Sequence, residues 1–148
     1  MIAVVQRVLS ASVTVNGETV GEIGAGMVVL VAAETTDKDR DVSWMANRLL
    51  GLRIFEDSEG KMNLSCDEVG GNFLIVSNFT VAGDTQAGRR PSFTKAAPFE
   101  AGKVFFDALV EEMRGSHPEL QTGAYGEEMA VALVNDGPIT LIVESPRG

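Results

Sequence analysis

The chain carries one cysteine and one histidine, Cys66 and His117, in 148 residues. A single cysteine cannot close an internal disulfide, and one thiol plus one imidazole cannot supply a structural zinc site. A Ser-His-Asp mechanism would have to run through His117, which precedes Pro118 in a segment read as loop, and no catalytic role is expected for it. No apolar run approaches the ~18 residues of a membrane span. The N-terminal stretch MIAVVQRVLSASVTV lacks the basic start and apolar region of a secretory signal. A cytoplasmic single domain over residues 1–148 is expected, with no metal, no cofactor and no membrane partner. Positive charge is scarce too: 12 Lys and Arg against 21 Asp and Glu leave a net charge of −9. That balance argues against a surface that wraps long nucleic-acid backbones, and no DNA partner is expected, but it permits contact with a nucleic-acid end.

What is present is β-patterning and glycine. Hydrophobic residues make up 45 % and charged residues 22 %, the proportions of a globular domain. Residues 2–8 and 12–15 are apolar and β-branched, and Asn16-Gly17 then separates two strand-like runs, the pattern of a type I′ hairpin. Residues 26–33 form a continuous apolar run of buried-strand length. A helix is predicted after a Thr36–Asp39 cap, with Val42, Met45, Ala46 and Leu49 at helical spacing and Gly51 at its end. A short strand at 53–55, a turn at 57–60 and a central strand over 73–81 follow.

Residues 82–97 have no periodicity, a length of loop that compact domains keep for function or leave disordered. This loop is locally basic, with Arg89, Arg90 and Lys95 against Asp84, a pointer to a small anion or a strand terminus. Pro98 opens a second predicted helix whose stripe of Gly102, Phe105, Phe106, Leu109 and Met113 reads as core. Two strands, 128–134 and 139–144, are expected to be joined by Asn135-Asp-Gly-Pro138. The order is βββ-α-ββ-α-βββ: an α+β domain with two helices and a largely antiparallel, barrel-like sheet.

Most motif matches are weak. Gly21-Glu-Ile-Gly-Ala-Gly26 has the wrong glycine order for a nucleotide loop and precedes a strand. Ser92-Phe-Thr-Lys95 matches a Ser-x-x-Lys pattern without its partner motifs. Cys66 reads as a small buried apolar residue. Two segments stand out. Ser77-Asn-Phe-Thr80 ends the most apolar strand with two hydroxyls and an amide, and Asn135-Asp-Gly-Pro-Ile-Thr140 carries an X-Pro bond that can be cis. On physics alone each is more readily structural than catalytic.

Together with Val5-Gln-Arg-Val8, Leu52-Arg-Ile-Phe55, Gly88-Arg-Arg-Pro-Ser-Phe93 and Leu133-Val-Asn-Asp-Gly-Pro138, these segments give an end-to-end resemblance to the D-aminoacyl-tRNA deacylases. Asn78 stands where that family has Gln. The resemblance implies a homodimer that hydrolyses the ester joining a D-amino acid, or glycine mischarged on the alanine tRNA, to the terminal adenosine of tRNA, a proofreading step in translation. It implies catalysis around Phe79 and Thr80, with the adenosine 2′-hydroxyl taking part; a second-ranked alternative makes Thr80 the nucleophile, for which the sequence shows no base. Ser77, Asn78 and Asn135 would contact substrate, and Tyr125 and Met129 would line the adenine pocket. Gly137-Pro138, as a Gly-cis-Pro element anchored by Arg7, would enter the partner's site and reject L-amino acids. A same-fold enzyme that clears mischarged L-alanine is one alternative, against which Phe79 argues because that variant has methionine there. A non-catalytic tRNA-end-binding module is another.

Overall fold

A computed structural model describes residues 1–147. It opens on a 14-residue strand, β1 (Ile2–Val15), that buries Ala3, Val5, Ala11 and Val13 at the period of two a half-buried strand requires. Asn16 and Gly17, with φ of 50° and 79°, make the expected turn into β2 (Glu18–Ile23), since type I′ needs positive φ at both positions. β3 (Gly26–Ala32) is buried at every residue but Leu30. The first half of β1 pairs antiparallel with β3 and the second half with β2.

Helix α1 (Asp39–Gly51) begins two residues later than a Thr36 cap would place it. Lys38 is the capping position, its N–H donating to the Asp41 carboxylate at 2.8 Å while Asp41 N–H returns to the Lys38 carbonyl at 2.9 Å. Asp41 wins because it stands three residues into the turn, where a carboxylate reaches back to the cap. β4 (Phe55–Glu56) and β5 (Met62–Leu64) form a separate hairpin, so the short strand lies slightly beyond the expected 53–55.

β6 (Asn72–Ser77) runs parallel to β3, and β7 (Gln121–Thr122) parallel to β6, with helix α2 (Phe99–Ser116) between them in sequence. The sheet is therefore mixed, not largely antiparallel. Its strands follow the order β2-β1-β3-β6-β7, and β2 comes back onto β6 and β7 to nearly close the barrel. The reason lies in the connections: α1 and α2 are crossovers, and a crossover delivers the next strand in the same direction as the last. Phe73, Leu74, Ile75 and Val76 are all buried, as expected of a strand covered on both faces.

The C-terminal strand is also one element, not two. β8 (Ala130–Glu144) pairs antiparallel with β1 from Ile2 to Thr14, with register shifts opposite Arg7 and Leu9. The Gly137–Pro138 peptide bond is cis. The amide of Asn135 bonds both the Arg7 carbonyl (2.9 Å) and the Ile139 carbonyl (3.0 Å), holding the two flanks of this bulge on β1.

Two cores result. One, including Val29, Phe73, Met45, Leu49, Phe106 and Leu109, lies between sheet and helices; the other, with Val8, Val13, Val28, Leu74 and Val76, fills the strands' inner face. His117 is buried at the end of α2, its Nε2 2.9 Å from Asn72 Oδ1, its Nδ1 3.3 Å from Asp67 and its ring edge-on to Phe73. These contacts tie α2 to the start of β6. Cys66 is buried, and desolvation pushes its thiol up to about 12, so it is no nucleophile.

Candidate active site

The strand predicted over 73–81 ends at Ser77, and after Asn78 the residues Phe79–Ala82 tighten into a 3-10 turn. Asn78 N–H donates to the Val31 carbonyl (2.9 Å), which fixes the turn's start to β3; Val81 and Gly83 N–H close it onto the carbonyls of Asn78 (3.1 Å) and Thr80 (2.9 Å). Such a turn leaves its first N–H groups, those of Phe79 and Thr80, without partners inside it. They sit at an exposed corner beside the Phe79 ring, which is 59 % exposed. This is a pair of backbone donors suited to an oxygen that gains negative charge.

The Thr80 hydroxyl donates to Asn78 Oδ1 at 2.5 Å. Its proton is thereby committed, and among the described residues this amide oxygen is the hydroxyl's one side-chain partner. An amide oxygen is too weak a base to activate an alcohol, so the local chemistry does not make Thr80 a nucleophile.

Beside this corner lies a cleft of about 340 Å³ lined by Ser77, Asn78, Phe79, Phe99, Tyr125 and Met129. It falls at the small end of ligand clefts, about 300–1,000 Å³. Tyr125 is held rigidly. Its hydroxyl donates to the Phe99 carbonyl (2.8 Å), and its ring packs against Phe99 and Phe106 with centroids 5.1 and 5.7 Å away. A side chain at position 102 would spoil this, because a Cβ on Gly102 would lie 2.6 Å from the Tyr125 hydroxyl oxygen. Burial, helped by Glu100 and Asp107, pushes the phenol's pKa up, so it remains a neutral donor. An aromatic ring and a thioether in one lining suit a flat base.

The remaining predicted residues form a second group on the β1–β8 edge. Arg7 is buried, its Nη1 donating to the Ile54 carbonyl at 2.7 Å. Its Nε lies 3.0 Å from the Asp136 carboxylate, a charge contact without an aligned hydrogen bond. Asn135 clamps the bulge, and Gly137 and Pro138 are exposed upon it. None of these four lines the cleft of its own chain. Two site residues escaped the sequence reading. Phe99 lines the cleft and accepts the Tyr125 hydrogen bond, but in sequence it is one apolar residue after Pro98, outside the stripe of Gly102 to Met113. Phe93 packs edge-on to Phe79 with centroids 5.4 Å apart, and its one signal is an aromatic in a polar loop.

Fold and cleft together define a class of small two-helix domains with a nearly closed, barrel-like mixed sheet. The backbone matches a solved structure described as c-Myc DNA Unwinding Element Binding Protein with a TM-score of 0.95 and 39 % identity, covering 99 % of this chain and 100 % of that one. It shares its fold with a structure described as a probable eukaryotic D-amino acid tRNA deacylase, at TM-score 0.83 and 17 % identity over 97 % and 98 % of the two chains. Residues 4–144 match the D-Tyr-tRNA(Tyr) deacylase family, and the chain belongs to that family. Relatives named D-aminoacyl-tRNA deacylase include one from Desulfitobacterium hafniense strain DCB-2, 52 % identical over 147 residues and 99 % of each chain. Another, from Methylococcus capsulatus, is 54 % identical over 99 % of this chain and 95 % of its own.

Proposed function

We propose that the chain hydrolyses the ester between a D-amino acid and the terminal adenosine of tRNA, in the cytoplasm and as a homodimer. The observation that carries this reading is the cleft itself: Tyr125 and Met129 line it together with Phe79, and the 3-10 turn that Phe79 opens carries the Phe79 and Thr80 N–H groups beside it. An aminoacyl ester is already activated, so placement and charge stabilisation can supply much of the rate. Water, oriented by the adenosine 2′-hydroxyl, adds to the carbonyl carbon. The carbonyl oxygen takes the negative charge under the two N–H donors. The C–O3′ bond then breaks, and the 3′-oxygen leaves with a proton originating from the water.

The homodimer is supported by β8. Of its 15 residues only Val143 is buried, while Val134 and Ile142 are 52 % and 69 % exposed. Its one strand partner among the described residues is β1. A long apolar edge strand invites pairing, and a two-fold copy would cover both edges at once. In such a pair Gly137-Pro138 of each subunit supplies the other's cleft with what its own chain leaves out, held from beneath by Arg7, Asp136 and Asn135. Backbone carbonyls set beside Cα leave no room for an L side chain but accept a D side chain or the hydrogen of glycine. Glycyl-tRNA, including glycine mischarged on the alanine tRNA, is then a second substrate.

Single-turnover deacylation of D-Tyr-tRNA, L-Tyr-tRNA and Gly-tRNA tests the reading. Cleavage of the first and third with L-Tyr-tRNA left intact is expected. Preference for L-alanine mischarged tRNA would assign the same-fold editing activity instead, and tight binding without turnover would leave a tRNA-end-binding module.

A further inference from the structure

The loop over 83–98 is closed at its base and charged at its tip. Asp84 and Ser92 exchange backbone hydrogen bonds of 2.7 and 2.8 Å, and the Asp84 carboxylate accepts Gln86 N–H and lies 3.5 Å from Lys95 Nζ. Arg89 and Arg90 therefore stand together beyond the bridge, both exposed, and neither forms an ion pair among the described residues. The loop is anchored to the candidate site by the Phe93–Phe79 ring contact. Arg90 and Phe93 are three positions apart, so their Cα atoms lie within about 10–11 Å of each other.

The surroundings give these two arginines weight. The protein's net charge of −9 repels a polyanion, and Glu127 lines the cleft itself. Lys103, at the start of α2, is occupied by Asp107 at 2.6 Å. Unneutralised positive charge next to the Phe79 corner thus comes from the loop tip. Guanidinium groups fit phosphate oxygens, and a chain that binds only the end of a nucleic acid needs few such contacts.

Resting on the deacylase reading, we propose that Arg89 and Arg90 grip the phosphodiesters of the single-stranded acceptor end, just 5′ of the terminal nucleoside. They act as positioning residues that hold the strand while Phe79 and Thr80 meet the ester.

The test compares D-Tyr-tRNA with D-tyrosyl-adenosine, which has the same ester and no phosphate, using the Arg89→Gln/Arg90→Gln protein. KM for D-Tyr-tRNA is expected to rise about tenfold or more at low salt. The slope of log(kcat/KM) against log[salt] should flatten by about 1.4, at roughly 0.7 per phosphate contact on a single strand. D-tyrosyl-adenosine should be cleaved as by the unaltered protein, and Arg89→Lys/Arg90→Lys should recover most of the loss. Arg48→Gln/Arg114→Gln, exposed changes on α1 and α2 that remove the same two charges, control for net charge. An unaltered KM and salt slope on tRNA would overturn the inference, as would an equal loss on both substrates. Failure of the unaltered protein to cleave either substrate would instead sink the deacylase reading, and the inference with it.

Discussion

At the scale of single residues, the Thr80–Asn78 hydrogen bond decides between two chemistries. A hydroxyl that gives its proton to an amide, with no base beside it among the described residues, is a scaffold for the turn rather than an attacking group. Thr80→Ala should therefore keep substantial deacylation, losing ~10–100-fold (about 1.4–2.7 kcal/mol) through looser positioning. A substrate ending in 2′-deoxyadenosine should lose far more. Trapping an aminoacyl ester on Thr80 would reverse this ranking. Cys66 gives a second prediction. Its thiol is held near 12 by burial, above the unfolded value of 9.0, so between these limits the folded state keeps a proton that the unfolded state releases. The sign follows: stability falls as pH rises from about 9, by about 1.4 kcal/mol per unit for this group. Chemical denaturation of the native protein and of Cys66→Ala from pH 8.5 to 10.5 should show a shallower decline in the variant, and identical slopes would refute it.

At the scale of elements, the α1 cap concentrates stabilisation in one carboxylate. Burial works to raise the Asp41 pKa, but the Lys38 N–H and the Ser145 hydroxyl outweigh it, and the group sits below its ordinary range. Its contribution is present above the unfolded value, about 3.9, and is lost as pH falls through the lower folded one. Asp41→Ala should cost about 1–2 kcal/mol at pH 7 by urea denaturation, with the difference shrinking below pH 4. An undiminished difference at pH 2.5 would point to packing instead. The elements also mark what sequence could convey. The Asn16-Gly17 hairpin, the apolar run of β3 and the helical stripe of Val42, Met45 and Leu49 were legible because each is a local pattern with one good solution. The direction of β6 was not, since Phe73 to Val76 carry no sign of which way their neighbour runs; the α1 crossover sets it. β8 reads as two strands because Gly-Pro is a local breaker, whereas its continuity is imposed by β1 across the whole sheet. Of the residues the family resemblance pointed to, Ser77, Asn78, Phe79, Tyr125 and Met129 line one cleft, and Thr80 lies next to it in the 3-10 turn. Phe93 and Phe99 were not legible, because their importance arises only when the loop and α2 are folded against β6.

At the scale of the whole molecule, the exposed β8 is where one prediction about assembly belongs. Ile142 is 69 % exposed in the single chain, so Ile142→Glu should change the stability of a subunit by no more than about 0.5 kcal/mol. If β8 is the face that a second copy covers, the same change should yield monomers in sedimentation and abolish deacylation. A fully active Ile142→Glu monomer would refute the cross-subunit site. The long pairing of β1 with β8 has a different consequence, for biosynthesis. Asn135 and Arg7, joined by a hydrogen bond, are 128 positions apart. At about 5–20 residues per second, β1 waits roughly 6–25 s on the ribosome for the strand that covers its second edge. Until then one edge of β1, from Ile2 to Thr14, stands unpaired while β2, β3, β6 and β7 can already assemble around it. A growing chain of this kind offers that open edge to other strands until Ala130–Glu144 emerge to cover it.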